Sequence, residues 1–154
     1  MPWENPTEKR SSTTNETIET IFQRRSIRKF QTKAVPARMV SVLVECAKAA
    51  PSGKNLKTRR FTVIQDAGEI AAFKQVIQEA TAKNNLPLNG FENPPLLILI
   101  SNDRRNQDGI QDAAVSAENI MLAATSLGLG SVWLNALMTL CDEQTIRAKL
   151  EEYQ

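Results

Sequence analysis

The sequence predicts one domain of mixed helix and strand, rich in helix and short of sheet. Three observations predict it. At 154 residues the chain has the length of a single domain, and it can bury about 68–70% of its unfolded surface. Hydrophobic residues are 42% and charged residues 23%, the balance of an ordinary globular protein. Helix-period and strand-period segments alternate loosely, yet only about three read as strands, few for a sheet with both faces covered.

Taken in order, residues 1–13 are polar, rich in Glu, Asn, Ser, Thr and Pro, and read as a flexible arm ahead of a domain over residues 14–154. A helix begins near Thr14 or Asn15, either of which can cap it, with Glu16 in its first turn and Ile18, Ile21 and Phe22 as a buried stripe. Pro36 introduces a second helix over residues 37–49, with Met39, Val42, Leu43 and Cys46 as its apolar face, and Pro51-Ser52-Gly53 stops it. Residues 60–65 alternate around Phe61 and Val63 and read as a strand. Residues 66–82 form a helix capped by Asp66, with Ile70, Phe73, Val76, Ile77 and Ala80 on one side. The Asn- and Pro-rich stretch 84–95 does not hold regular structure.

The run Leu96-Leu97-Ile98-Leu99-Ile100 reads as a central strand buried on both faces. After a polar loop over 102–109, a helix carries Asp112 in its first turn and runs to about Leu127. Its small-residue face of Ala113, Ala117, Ile120, Met121 and Ala124 suits a close helix contact, within the chain or with a second copy. Gly128 is the expected left-handed cap. Residues 131–135 are strand-like, and 142–153 form a last helix carrying Ile146 and Leu150.

Composition excludes several classes of function. A net charge of +2 does not argue for nucleic acid as the main partner, and 5% aromatics make a base-stacking platform a poor fit. No apolar run reaches the roughly 18 residues of a membrane span, and the N-terminus lacks a signal-peptide core, so the expected location is cytoplasmic. Cys46 and Cys141 sit in apolar segments and read as small buried hydrophobes in a reducing compartment. Histidine is absent, which removes His-based triads, the commonest general base and most transition-metal sites. An enzyme built this way leaves the hard chemistry to a bound cofactor.

Two stretches carry the chemistry. Arg24-Arg25-Ser26-Ile27-Arg28-Lys29-Phe30 places four cations and a hydroxyl at the end of the first helix. Arginine grips phosphate or a polarised carbonyl with paired hydrogen bonds, and Ser26 adds a small donor. The same charges also suit a helix C-terminus, where the dipole and free carbonyls favour cations, so both readings stand. Pro51-Ser52-Gly53-Lys54-Asn55 has donors and acceptors for the edge of a planar heterocycle, and Gly53 allows close backbone approach. A plain helix-to-strand connection fits it too.

Those two stretches, followed by Leu127-Gly128-Leu129-Gly130-Ser131-Val132-Trp133 at the end of a small-residue helix, resemble in order and spacing the nitroreductase family of flavoproteins. The resemblance covers roughly residues 14–150. It implies an α+β nitroreductase-like fold, with a central, mostly antiparallel sheet flanked by helices. It also implies a homodimer with FMN at the subunit interface. NADH or NADPH would donate a hydride, and nitroaromatic, quinone or related small-molecule acceptors would be reduced in a ping-pong sequence. By the same resemblance, Arg24, Arg25 and Ser26 meet the FMN phosphate and ring edge. Arg28 lies at the N1–C2 carbonyl side, where a fixed cation favours negative charge on the ring. Pro51, Ser52, Gly53 and Asn55 come from the other subunit. Trp133 and Leu134 line a ring face, and a backbone N–H near Asn135 meets flavin N5. No side chain acts as nucleophile and no metal is implied.

Two departures stand out. Where the family usually carries Gln and then an aromatic after this Asn, Lys57, Thr58 and Arg59 stand here, which predicts a more basic pocket wall. The family usually continues beyond the equivalent of Gln154 with a further strand, a Lys/Arg pair and a tail that embraces the partner, so the chain reads as a truncated or a compact version. The alternative reading is a flavin-binding protein of the same fold with little or no turnover. A non-flavin interaction module on a helical dimer scaffold is a third.

Overall fold

The computed structural model describes residues 15–86 and 92–153. Its elements run α1 (Glu16–Gln23), α2 (Ala37–Ala49), β1 (Arg60–Ile64), α3 (Ala67–Lys83), β2 (Leu97–Ser101), α4 (Gly109–Ser126), α5 (Ala136–Leu140) and α6 (Gln144–Glu151). A single 3₁₀ turn, Gly53–Asn55, lies between α2 and β1. The expected arm over 1–13 and the middle of the expected loop over 84–95 fall outside the described residues.

Helix starts follow the caps the sequence offers. The Asn15 side chain accepts from Ile18 N–H at 3.0 Å and the Asp66 carboxylate accepts from Glu69 N–H at 2.9 Å, each satisfying a donor the first turn leaves free. Gly128, at φ +73°, ends α4 in a left-handed turn in which Leu129 N–H reaches Ala124 O and Gly128 N–H reaches Thr125 O. Glycine adopts that backbone without the steric cost other residues carry.

β1 and β2 pair antiparallel, Arg60 opposite Ser101 through Ile64 opposite Leu97. α3, α5 and α6 cover one side of this pair. There Ile64, Ile70, Phe73, Ile77, Leu97, Leu140 and Ile146 form the core cluster, with Phe73 and Ile146 fully buried. Each such side chain contributes about 1.5–3 kcal/mol by leaving water. A second apolar layer lies between α2 and α4 and includes buried Val40, Leu43, Ala47, Met121 and Ala124. The Asn119 amide pins the two helices by donating to Cys46 O at 3.0 Å. At the C-terminal end, Lys149 and Tyr153 both reach the Glu69 carboxylate, at 3.2 and 2.8 Å, and fasten α6 to α3.

Several sequence expectations need correction. Ile21 and Phe22 are 49% and 42% exposed, because α1 lies at the rim of the fold and α4 is the main helix against it. The buried face of α2 is Val40, Leu43 and Ala47, with Val42 exposed. In β1 the buried residue is Ile64, while Val63 faces solvent. β2 is not buried on both faces: β1 is its one described neighbour, and beyond Leu97 its residues are half-buried or exposed. Residues 131–134 form no strand and make one isolated parallel bridge, Ser26 to Ser131, so among the described residues two strands stand where three were expected. α5 was not anticipated. Cys141 is exposed and Cys46 half-buried, and both are free thiols.

Candidate functional site

The segment after α1 and the segment after α4 meet. Ile27 N–H donates to Ser131 O at 2.9 Å, and Ser26 and Ser131 form the bridge. The close approach requires Gly130: a Cβ there would stand 2.9 Å from Ile27 Cγ2 and 3.0 Å from Ile27 Cβ. Thus the first and third motifs, a hundred residues apart, are one structural unit.

Within the basic cluster the two readings divide by residue. Arg25 serves the helix end, its Nη1 donating to Phe22 O at 2.6 Å and Arg24 O at 2.8 Å. Arg24 Nε lies 3.5 Å from Glu118 Oε1 on α4. Arg28 is different. Its guanidinium makes a long 3.5 Å contact to Ser26 O, and among the described residues no carboxylate forms an ion pair with it, with Arg25 or with Lys29. Uncompensated cations beside a serine are suited to an external anion or polarised carbonyl. Ser131 Oγ, buried and without a hydrogen-bond partner among the described residues, adds an orphaned polar atom to the same unit, the kind of group that a ligand satisfies.

Trp133 and Leu134 follow directly, and they border a cleft of about 1010 Å³ between β2, α4 and residues 129–134. Its walls are mainly apolar, with Ile98 and Ile100 on one side and Ala113, Ala117 and Ile120 on another. Trp133 is 45% exposed, so a ring face is available for stacking. Asn135 is exposed and stands at the N-cap position of α5, with no side-chain capping bond. Arg24, Arg25, Ser26, Arg28 and residues 51–55 lie outside the walls of this cleft.

The loop 51–55 is built differently. Lys54, Asn55 and Lys57 all have positive φ, 51°, 57° and 51°, each carrying a cost of about 1–3 kcal/mol for a non-glycine residue. The surroundings hold this course. Gly53 N–H donates to Asp112 Oδ1 at 2.8 Å, and Asp112 Oδ2 accepts from Asn106 Nδ2 at 3.1 Å. Lys57 N–H donates to Ser52 Oγ at 3.2 Å. Thr58 Oγ1 donates to Asn102 Oδ1 at 2.6 Å and accepts from Asn106 Nδ2 at 2.9 Å. A Cβ on Gly53 would overlap Asp108 Oδ2 at 2.1 Å, so this position admits glycine alone without movement.

Arg59 corrects an expectation. It does not make a basic pocket wall. It is 9% exposed, and its guanidinium turns inward to Ala50 O, Pro51 O and Ser116 Oγ, each at 2.8 Å, and to Asp112 O at 3.2 Å. A buried charge is tolerable only with its donors used in this way. Sequence reasoning placed Arg59 in a pocket wall, missed Ser116, Asn102 and Asn106, and took Asp112 only as a helix-dipole charge. The available signal was the pairing of Asp112 with Ser116 one turn on, on a helix whose later buried residues, Met121 and Ala124, are apolar.

Within the described residues no hydrogen bond, bridge or ion pair joins residues 24–28 to residues 51–55. Each is fastened to α4 separately, the loop at Asp112 and the basic segment at Glu118, about 9 Å further along the helix at 1.5 Å per residue.

The fold is a helix-rich α+β chain with an antiparallel strand pair, and it carries an arginine without an ion pair among the described residues, an orphaned serine hydroxyl and an aromatic-edged cleft. The chain belongs to the Nitroreductase family, whose model matches residues 21–151. It is similar to a nitroreductase with bound FMN from Bacteroides fragilis NCTC 9343, at 33% identity and a TM-score of 0.84 over 91% of this chain and 80% of that one. It is also similar to an FMN-dependent nitroreductase from Clostridium difficile R20291, at 31% identity and a TM-score of 0.70 over 84% and 75%. Among curated proteins it resembles an NADPH-flavin oxidoreductase from Vibrio harveyi, 30% identical over 139 residues, 80% of this chain and 55% of that protein. The chain spans 59% of one such relative and 58% of another. The family membership confirms the resemblance and the α+β fold. Among the described residues no helix is long and apolar enough to cross a membrane.

Proposed function

We propose that the chain is an FMN-dependent oxidoreductase that works as a homodimer, with NADH or NADPH as donor and a nitroaromatic, quinone or related small molecule as acceptor in a ping-pong sequence. The observation that carries this reading is the bridged pair Ser26 and Ser131, with Arg28 lacking an ion pair among the described residues and the orphaned Ser131 Oγ two residues before the exposed Trp133. That donor set matches the anionic and carbonyl edges of a flavin mononucleotide. The names of the similar proteins support it, since they include FMN-bound and NADPH-dependent members.

When bound, FMN supplies the electron-accepting ring. The protein's own part is positioning and charge. By the family resemblance, Arg24, Arg25 and Ser26 would meet the phosphate and ring edge, and Arg28 would lie at the N1–C2 carbonyl side. Trp133 and Leu134 would line a ring face and exclude water from it, and a backbone N–H near Asn135 would supply a donor. By the same resemblance, Pro51, Ser52, Gly53 and Asn55 would reach the same flavin from a second copy, and their attachment to α4 at Asp112, apart from the basic segment at Glu118, is compatible with that division.

The test is a visible spectrum of the purified chain before and after excess FMN, followed by anaerobic addition of NADH and of NADPH. Flavin absorbance that either donor bleaches is expected. No flavin absorbance under either condition would sink the proposal. Bound FMN that neither donor bleaches would replace it with a flavin-binding protein of little turnover. Arg28→Ala should weaken FMN retention or slow the bleaching, and unchanged values for both would make Arg28 a mere surface cation.

A further inference from the structure

The network around Arg59 has no role in holding the two strands together, and its four acceptors lie on three different segments. Ala50 O and Pro51 O belong to the end of α2 and the start of the loop, while Asp112 O and Ser116 Oγ belong to α4. Ser116 in turn donates to Asp112 O at 3.0 Å, so its hydroxyl can only accept from Arg59. The orientation of the guanidinium is therefore fixed from both sides. Downstream of these anchors the chain passes through its left-handed residues Lys54, Asn55 and Lys57, a course that an untethered loop would leave.

We infer that Arg59 is a positioning residue for the cofactor: it ties residues 50 and 51 to α4 and so presents Ser52, Gly53 and Asn55 in the one conformation that can bind FMN. The inference rests on the function proposed above. Arg59 itself does not reach the ligand. Its planar fork matters because one side chain must satisfy carbonyls on separate segments at once, which a lysine ammonium of different geometry does not reproduce. Asp112 works in parallel from the other side, through Gly53 N–H.

The test compares Arg59→Lys and Ser116→Ala with the unaltered full chain. Three quantities are read: the FMN dissociation constant from quenching of FMN fluorescence, the melting temperature without FMN, and amide hydrogen exchange by segment. Arg59→Lys should weaken FMN binding by about tenfold, the loss of roughly one charge-assisted hydrogen bond's worth of order. It should also accelerate exchange in residues 51–57 while α3 keeps its protection. Ser116→Ala should do the same more weakly, with little change in melting temperature. FMN binding within twofold of the unaltered chain in both variants would overturn the inference, as would unchanged exchange in 51–57. Should Arg59→Lys fail to fold, Ser116→Ala decides by the same two readings. Failure of the unaltered chain to bind FMN would instead overturn the proposed function, and it is seen before any substitution is made.

Discussion

The contact between Gly130 and Ile27 allows a quantitative test of how the site is assembled. Gly130→Ala places a methyl group 2.9 Å from Ile27 Cγ2, 3.0 Å from its Cβ and 3.1 Å from its Cγ1. A change of Ile27 rotamer moves the γ carbons but not the Cβ, so the two backbones must separate. Separation costs about 1–3 kcal/mol as overpacking, plus about 0.5–1.5 kcal/mol for the Ile27 N–H to Ser131 O hydrogen bond. The alanine returns about 0.4–1 kcal/mol by restricting the unfolded chain. The net expectation is a destabilisation of about 2 kcal/mol, read as a shift in the urea midpoint at constant slope. Ile27→Ala removes the two γ contacts, and because Ile27 is 41% exposed it should cost little alone, about 1 kcal/mol. The double variant should recover about 1 kcal/mol of coupling. A Gly130→Ala cost under about 0.5 kcal/mol, or a double variant that is simply additive, would refute the claim that this approach joins the two motifs.

Other outcomes follow from the same contacts. Ile146→Ala, at a fully buried position in the core under α3, should cost about 2–5 kcal/mol by urea denaturation. Asp112→Ala strips Gly53 N–H and Asn106 Nδ2 of their acceptor; a loss of about 2–4 kcal/mol is expected, with hydrogen exchange at Gly53 rising more than at Ile77. The Glu69 carboxyl is held below the usual glutamate range first by the Tyr153 hydroxyl and then by Lys149. Its contribution is therefore full above the ordinary glutamate range and is lost as pH falls through the lower, folded value. Amide protection of α6 should fall with acid in that window, and Glu69→Gln should remove the pH dependence.

Much of the helical framework was legible because local signals act locally. Pro36 and Ala50 bracket α2, Asp66 caps α3 and Gly128 closes α4, each through bonds spanning a few residues. Buried faces were less legible. α1 carries an apolar stripe, but the sequence does not state that α4 is the main helix against it, so Ile21 and Phe22 read as buried when they are exposed. Residues 131–135 have strand-like composition, yet a strand needs a ladder partner, and among the described residues Ser131 finds only Ser26. The candidate site was legible as motifs and not as a network. Arg59, at the head of a strand, reads as part of a basic pocket wall, and only the position of α4, more than fifty residues later, turns it inward.

The separate attachment of the basic segment and the 51–55 loop to α4 bears on how defects combine. In a two-copy site, an Arg28→Ala chain spoils the half it gives to its own flavin, and an Asn55→Ala chain spoils the half it lends to its neighbour's. In the proposed homodimer, each variant alone would have both sites damaged. Mixed and allowed to exchange partners, the two would form hybrids in which one site collects both lesions and the other collects none. Activity would then rise on mixing two impaired preparations.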